Sequence, residues 1–161
     1  MQSELIIKQA KEEDVPLILS FIKKIAEYEK LSHEVIATEE MLHESLFGEK
    51  PGAEVVFGYL NELPVAYAVY FYNFSTFLGK KGLYLEDLFV LPELRGKGIG
   101  KKILIYLIKK SVEENCGRME WAVLDWNEPA INFYKSLGAK PLDEWTTFRM
   151  DEEALIKIAT P

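Results

Sequence analysis

The stretch Arg95-Gly96-Lys97-Gly98-Ile99-Gly100 lies between a strand-like run at residues 83–90 and a helix-like run at residues 101–114. Three glycines at alternate positions remove three Cβ atoms, so a ligand can approach the backbone closely. The first N–H groups of a helix lack intrahelical partners and lie at the positive end of its dipole, so a phosphate or pyrophosphate is their natural ligand. The stretch therefore predicts an anion-binding loop between a strand and a helix.

Two better-known phosphate loops do not match this stretch. A Walker loop needs a serine or threonine after Gly-Lys, whereas Gly100-Lys101 is followed by Lys102. A dinucleotide fingerprint places its third glycine three residues after the second, whereas Gly98 and Gly100 are only two positions apart. A magnesium-dependent, nucleotide-using enzyme is therefore disfavoured, and a glycine-rich turn without a ligand remains the alternative.

Length, composition and charge bound the class of protein. A chain of 161 residues with 48% apolar residues has the size of one domain and can bury a continuous core, so we expect one domain over 1–161. No stretch has the uninterrupted apolar length of a signal peptide or a membrane span, so we expect a cytoplasmic protein without a membrane partner. A formal charge of −7 argues against nucleic acid as a partner.

Metal chemistry is not expected from the cysteine and histidine content. Cys116 is the single cysteine, and His33 and His43 are the two histidines, so a zinc cluster cannot form at the usual spacings. Cys116 follows the main predicted helix and is expected to be a small buried residue rather than a nucleophile.

Hydrophobic periodicity, capping residues and turn signals predict an α/β fold. In chain order the predicted elements are a strand at 5–7, a helix that begins within 12–16 and ends near 28–30, a helix at 38–48, strands at 54–60, 63–74 and 82–90, the main helix at 101–114, a strand at 118–124, a helix at 127–138, a strand at 145–150 and a helix at 152–158. The expected apolar side of the main helix is Ile99, Ile103, Leu104, Leu107, Ile108 and Val112.

This order predicts a mixed, mostly antiparallel central sheet flanked by helices. The strand before the glycine loop and the strand at 118–124 are expected to part. Because ligands bind at strand ends where a sheet opens, we expect a V-shaped cleft there.

Several motifs in this order resemble the spermidine/spermine N-acetyltransferase branch of the GNAT superfamily, whose members are acyl-CoA-dependent N-acyltransferases. The motifs are YLEDLFV at 84–90, RGKGIG at 95–100 and WNEPAINFYK at 126–135, and the similarity takes in residues 25–29 and 47–49. It therefore covers nearly the whole chain. The resemblance implies a GNAT fold, acetyl-CoA as the donor, and a homodimer whose active sites lie near the subunit interface.

The resemblance places acetyl-CoA at the end of the glycine-loop strand, along the loop and at the start of the helix at 127–138. The expected contacts are Leu88, Phe89, Val90, Arg95, Gly96, Lys97, Gly98, Ile99, Gly100, Lys101, Asn127, Glu128, Pro129 and Ala130. Backbone N–H groups near Leu88 and Val90 would polarise the thioester carbonyl if the strand splays there. Asn127 can cap its helix and bind the pantetheine arm at the same time.

Acetyl transfer to an amine needs a base and an acid. An alkylammonium with a pKa near ~10.4 becomes nucleophilic only after losing a proton, so a nearby carboxylate both holds the cation and relays the proton. The resemblance selects Glu86 as the base, acting through water, and leaves Asp87 as an amine-binding partner. Strand alternation puts the two on opposite faces unless a bulge intervenes. Alternatively, Glu86 and Asp87 have no catalytic role and are charged residues at a strand end that form salt bridges.

Tyr134 is the expected general acid, which would protonate the departing CoA thiolate. This role comes from the family, whose acid is the tyrosine of the matching Asn-Phe-Tyr-Lys segment. From the residues alone, Tyr134 would be a packed aromatic in a stripe with Ile131 and Leu137.

The resemblance also indicates where the acceptor amine binds. The expected contacts are Tyr28, Glu29, Ser75, Thr76, Phe77, Glu86, Asp87, Glu120, Trp121 and Ala122. Polyamine-using relatives carry Asp-Pro-Trp where this chain has Ser75-Thr76-Phe77, and relatives with Ser-Thr resemble thialysine acetyltransferases. Hydroxyls can bind a substrate carboxylate that an aspartate would repel. The acceptor is therefore expected to be a lysine analogue or a short diamine.

Two other functions remain open. A protein or peptide lysine N-acetyltransferase would need a broad open groove. A sensor that binds acyl-CoA without catalysis would not need both Glu86 and Tyr134.

Overall fold

The computed structural model describes residues 4–160. Within this part of the chain, five strands form one sheet in the order β1-β2-β3-β4-β5. The strands are β1 (Ile6–Gln9), β2 (Glu54–Leu60), β3 (Leu63–Ser75), β4 (Lys80–Val90) and β5 (Met119–Trp121). Neighbours from β1 to β4 are antiparallel, whereas β5 runs parallel to β4. The mixed, mostly antiparallel sheet is confirmed.

The predicted helices are confirmed close to their expected bounds. They are α1 (Val15–Tyr28), α2 (Glu39–Phe47), α3 (Ile99–Glu113), α4 (Glu128–Ser136) and α5 (Glu152–Ala159). Capping residues define where several helices begin. Thr38 Oγ1 accepts a hydrogen bond from the N–H of Met41 at 3.2 Å and so caps α2. Asn127 and Asp151 cap α4 and α5 in the same way.

The described chain divides into two compact units, residues 4–122 and 123–160. The first unit contains the sheet with α1, α2 and α3, and the second contains α4 and α5. Between residues 4 and 160, no helix is long and apolar enough to cross a membrane.

An aromatic core lies between α1 and the sheet. Phe21 of α1 packs against Phe57 and Tyr67, with ring centroids 5.5 and 5.2 Å apart. The opposite face of the sheet meets α3, because a Cβ added at Gly58 would lie 3.2 Å from Cδ1 of Ile103. Helices therefore cover both faces of the sheet in the first unit.

The buried side of α3 differs from the expected stripe. Ile108 and Val112 are exposed, the latter to 75%, whereas Ser111 is buried and its Oγ donates to the carbonyl of Leu107 at 2.8 Å. With 3.6 residues per turn, Ile108 and Val112 lie about 100° and 140° around the helix from Leu107, beyond the edge of the face that meets the sheet. The predicted stripe was too wide.

Two strand predictions also need correction. The strand expected at 118–124 is only three residues long, and the segment expected to form a strand at 145–150 has no strand in the described chain. Within this segment, Trp145 and Phe148 are exposed. High β-propensity describes a fit to a pleated, half-buried surface, and a strand also needs a neighbouring strand to pair with. Composition alone could not supply that partner.

Candidate active site

The sheet opens along the second half of β4. Pairing between β4 and β5 covers only Leu83, Leu85 and the residue between them, whereas β4 continues to Val90. The N–H of Leu91 donates to the carbonyl of Val65 at 3.0 Å, so by antiparallel alternation the N–H groups of Val90 and Leu88 face away from β3. These two donors line the open edge at which the sequence predicted polarisation of a thioester.

A β-bulge centred on Glu86 begins this opening. Val69 pairs with Asp87, but Tyr70 pairs with Leu85, so Glu86 is an extra residue on β4. The bulge reverses the alternation: Leu85 faces the α3 side, while Asp87 two residues later faces the α1 side. The predicted alternation that would put Glu86 and Asp87 on opposite faces is therefore interrupted by a bulge, so both residues can serve one site.

The glycine loop has the open backbone that its sequence predicted. Gly96 and Gly98 have φ values of 75° and 77°, a region that other residues rarely adopt, and Gly98 is the N-cap of α3. A Cβ built on either glycine would meet nothing within 4 Å. The first N–H groups of α3 lack intrahelical partners and lie at the positive end of the helix. Exposed Lys97 and Lys101 add cations, so the loop fits a pyrophosphate.

Arg95 links the loop to a predicted acceptor residue. Its guanidinium lies 4.2 Å from the ring centroid of Tyr28 and 5.1 Å from that of Phe89. Its Nε donates to the carbonyl of Val90 at 3.0 Å. In this conformation Arg95 packs on aromatic rings, and its contact with a pyrophosphate stays a prediction.

Three predicted acidic residues come together beside Tyr28. Burial and the charges of Asp87 and Glu86 raise the pKa of Glu29. Burial also raises the pKa of Asp87, and a hydrogen bond from the Tyr67 hydroxyl partly opposes that rise. The Tyr67 hydroxyl donates to Asp87 Oδ2 at 2.5 Å. Like charges held in a partly desolvated place favour a cationic ligand.

Tyr67 is a neighbour of the candidate acceptor residues that the sequence did not reveal. It is 0% exposed, and its strand was read only as part of the sheet. Because Tyr67 pairs with Phe89, its side chain lies diagonally across from Asp87 on the same face. The pairing register would have revealed this neighbour, but the sequence does not show the register.

Residues on β5 border the same region. Glu120 pairs with Tyr84, and Trp121 pairs with Leu85, the residue directly before the bulge. The Glu120 carboxylate accepts from Nε of Arg118 at 2.8 Å, so an ion pair already holds it. Ala122 follows at the exposed end of the first unit.

The predicted segment Ser75-Thr76-Phe77 lies elsewhere in the first unit. Ser75 pairs with Lys80 at the tip of the β3–β4 hairpin, six residues along β4 from Glu86, or roughly 20 Å at the usual rise of a strand. Ser75 is buried and its Oγ accepts from the N–H of Leu78, whereas Phe77 is 98% exposed. Within one copy of the chain, these residues do not adjoin the acidic cluster.

The remaining predicted residues belong to the second unit. Asn127 Oδ1 accepts from the N–H of Ala130 at 3.4 Å, and Pro129 occupies the first turn of α4. Tyr134 is half-buried, with its ring centroid 5.3 Å from that of Phe133. The cap is confirmed, while catalysis by Tyr134 stays a prediction.

A family model described as "Acetyltransferase (GNAT) family" matches residues 22–139, a span that holds the glycine loop, the bulge and α4. The chain belongs to this family of acetyltransferases. It is an N-acetyltransferase, and the family's acetyl donor is acetyl-CoA.

Individual relatives agree with this class. The thialysine N-epsilon-acetyltransferase of Sus scrofa is 39% identical, with 98% of each chain covered. The L-ornithine N5-acetyltransferase NATA1 of Arabidopsis thaliana is 32% identical over 92% of this chain and 85% of its own. Among solved structures, an integron cassette protein from the mobile metagenome of V. cholerae superposes with a TM-score of 0.82, at 26% identity and 98% coverage of both chains. These similarities support acetylation of small-molecule amines.

Proposed function

We propose that this protein transfers the acetyl group of acetyl-CoA to a primary amine of a free lysine analogue such as thialysine, or of a short diamine. The observation that carries the proposal is the acidic cluster of Glu29, Glu86 and Asp87 beside the open edge of β4. A cluster of this kind favours an ammonium and keeps it near a carboxylate that can take its proton.

The names of the relatives support the choice of acceptor. Thialysine and L-ornithine, the substrates in those names, are both basic amino acids that carry a side-chain amine. An amino acid also has a carboxylate, for which the exposed hydroxyl of Thr76 is a suitable partner, whereas the Ser75 hydroxyl is buried and accepts from the N–H of Leu78. A polyamine would instead require a further acidic group at that position.

In the proposed mechanism the amine attacks the thioester directly within a ternary complex. Glu86 accepts the proton of the ammonium through water, and the N–H groups of Leu88 and Val90 stabilise the negative charge on the carbonyl oxygen. The C–N bond forms, the C–S bond breaks, and the hydroxyl of Tyr134 donates its proton to the leaving thiolate. The nitrogen loses its second proton to water and the Tyr134 phenolate takes one back, so the net products are the amide, the CoA thiol and the single proton first accepted by Glu86. No covalent enzyme intermediate and no metal take part.

Binding of acetyl-CoA is assigned to two parts of the chain. The glycine loop and the first turn of α3 would hold the pyrophosphate, since their backbone is open and flanked by Lys97 and Lys101. Asn127 and the residues that follow it would bind the pantetheine arm.

The proposal includes a single domain, a cytoplasmic location, a homodimer, and no nucleic-acid or membrane partner. The family match across both compact units supports one domain. The distance along β4 between Glu86 and the Ser75-Thr76-Phe77 segment supports a dimer, since that segment can serve the acceptor site only if a second copy brings it there.

The test is release of CoA thiol from acetyl-CoA against thialysine, lysine, ornithine, putrescine, spermidine, spermine and a lysine-containing peptide. We expect turnover on the free amino acids and diamine, with losses of about 10²–10⁴-fold in both Glu86→Gln and Tyr134→Phe, the range of general acid–base catalysis. Glu44→Gln on α2 and Tyr106→Phe on α3 are matched controls with expected wild-type rates.

Other outcomes point elsewhere. Acetylation of the peptide without any free amine would identify a peptide lysine acetyltransferase. Binding of acetyl-CoA without turnover on any acceptor would identify a sensor and contradict the proposal.

A further inference from the structure

We propose that Tyr67 is a positioning residue of the acceptor site, whose buried hydroxyl fixes the Asp87 carboxylate in the orientation that binds the substrate ammonium. This inference rests on the proposed function and adds a residue that the sequence resemblance did not provide. Tyr67 acts through Asp87 and does not itself touch the amine.

The phenol is held rigidly by the core. Tyr67 is fully buried, and its ring lies 5.2 Å from that of Phe21 and 6.3 Å from that of Phe57, measured between centroids. A side chain packed on these sides has few alternative rotamers. The phenol oxygen is therefore held beside the Asp87 carboxylate, to which its O–H donates at 2.5 Å.

The bulge makes this contact possible. With regular alternation, Asp87 would lie on the α3 side together with Leu85. The extra residue Glu86 turns Asp87 to the α1 side, which is the face that carries Tyr67 and Phe89. Tyr67 then holds the oxygen atom Oδ2 of Asp87. In the proposal, the other carboxylate oxygen binds the ammonium.

The charges around Asp87 explain why an uncharged hydrogen-bond donor suits this carboxylate. The neighbouring acidic and phenolic groups are Glu29 after α1, Glu86 on the same strand and Tyr67 on β3. Two further ionisable residues border this face, Tyr28 and Arg95, whose guanidinium lies 4.2 Å from the Tyr28 ring and 5.1 Å from the Phe89 ring. Burial raises the pKa of Asp87, and the phenol hydrogen bond pulls it back down. Burial and the Asp87 charge raise the pKa of Tyr67 well above its ordinary value, so this hydroxyl keeps its proton throughout the working pH range. A permanent cation in its place would compete with the ammonium.

The variant Tyr67→Phe keeps the ring and deletes only this donor. Loss of a hydrogen bond to a charged group should raise the pKa of Asp87, and the acid limb of the kcat/KM profile for thialysine should move up by about one pH unit. Below that limb the KM for thialysine should rise about tenfold. The KM for acetyl-CoA and the kcat at saturation should stay within about twofold, because Asp87 binds the amine and not the donor.

Tyr70→Phe is the matched control. Tyr70 is also fully buried on β3, and its hydroxyl donates to Glu54 Oε2 at 2.5 Å on the opposite face of the sheet. Tyr70→Phe therefore removes the same hydroxyl group, but at a position away from the acceptor site. Its acid limb should coincide with that of the wild type even if its thermal stability falls.

A double-variant experiment separates positioning from general destabilisation. In an Asp87→Asn background, Tyr67→Phe should cause no further shift of the acid limb, because the carboxylate that the phenol serves is gone. An unshifted limb and an unchanged thialysine KM in Tyr67→Phe would overturn the inference, and so would an equal shift in Tyr70→Phe.

The proposed function is tested separately by wild-type and Glu86→Gln turnover. If wild-type protein acetylates free amines and Glu86→Gln does not, the function stands whatever Tyr67→Phe does. If no amine is turned over, calorimetric titration of thialysine in the presence of CoA still tests Tyr67. At acidic pH, where the raised pKa of Asp87 takes effect, about tenfold weaker binding in the variant would support the inference, and equal binding would refute it.

Discussion

Ionised Glu29 and Asp87 are electrostatically unfavourable in the proposed acceptor site when no substrate is bound. Both have raised pKa values, because burial and neighbouring negative charges disfavour their ionised forms. A carboxyl group whose pKa is higher in the folded than in the unfolded protein binds more protons in the folded state. Stability therefore falls as the pH rises through the interval between the two pKa values, and the ionised groups destabilise the free enzyme at neutral pH.

Glu29→Gln should therefore raise the thermal stability of the protein and lower its activity on thialysine. We expect Tm at pH 7 to rise by roughly 2 °C, because the amide removes a desolvated, repelled charge. The kcat/KM for thialysine should fall about tenfold, since one carboxylate facing the ammonium is lost. Thermal unfolding at pH 7 and pH 4 checks the sign.

At pH 4 the difference in Tm should shrink, because Glu29 is then largely protonated in both states. The variant Glu27→Gln, an exposed glutamate of the same helix, is the control and should leave both Tm values and the rate unchanged. A drop in the Tm of Glu29→Gln at pH 7 would show that Glu29 is stabilised by a cation rather than strained by carboxylates.

The glycine loop and the bulge are the two elements that shape the site. The loop places open backbone N–H groups at the start of α3, and the bulge turns Asp87 towards α1. Between them, the second half of β4 runs free of β5 and exposes the N–H groups of Leu88 and Val90. One short length of strand thus joins the proposed donor and acceptor regions.

Gly98→Ala should weaken acetyl-CoA binding specifically. The residue has a φ of 77°, so alanine is strained by roughly 1 kcal/mol, and its methyl group would occupy the open space over the loop. We expect the KM for acetyl-CoA to rise about tenfold with little change in the KM for thialysine. Initial rates with each substrate varied in turn provide the measurement.

Gly79→Ala is the matched control, since Gly79 has a φ of 62° and equally open surroundings in the β3–β4 turn. It should lose similar stability but keep the wild-type KM for acetyl-CoA. An equal KM effect in both variants would remove the loop from the donor site.

Local signals made much of this architecture predictable. Thr38, Asn127 and the glycines mark helix ends through their own chemistry. Binding of a pyrophosphate by the loop follows from local sequence in the same way and stays a prediction. The bulge at Glu86 and the Tyr67 contact depend on how two distant strands are registered, which no local pattern encodes. For the same reason, the composition of residues 145–150 suggested a strand, although the described part of the chain forms none there.

The family model, at residues 22–139, spans residues from both compact units. Glu86 lies in the first unit and Tyr134 in the second, whereas the Ser75-Thr76-Phe77 segment sits at the far end of a hairpin. A homodimer with active sites at its interface would give that segment a role.

Subunit mixing tests this arrangement. Glu86→Gln lacks the base but keeps the hairpin tip, and a Ser75→Ala/Thr76→Ala/Phe77→Ala variant has the reverse defect. If the tip serves the partner's site, two inactive homodimers should regain about a quarter of wild-type activity after unfolding and refolding together, because random pairing restores one site in each mixed dimer. Persistent inactivity, or a monomeric mass by light scattering, would contradict the arrangement.

The measurement closest to the central claim is the initial rate of acetyl transfer from acetyl-CoA to free thialysine, with both substrates varied, for the wild type and Glu86→Gln. Direct attack in a ternary complex predicts intersecting double-reciprocal lines, an N-acetylated product identified by mass spectrometry, and a rate about 10²-fold or more lower in the variant. Parallel lines, or no acetylated product from any free amine, would contradict the account.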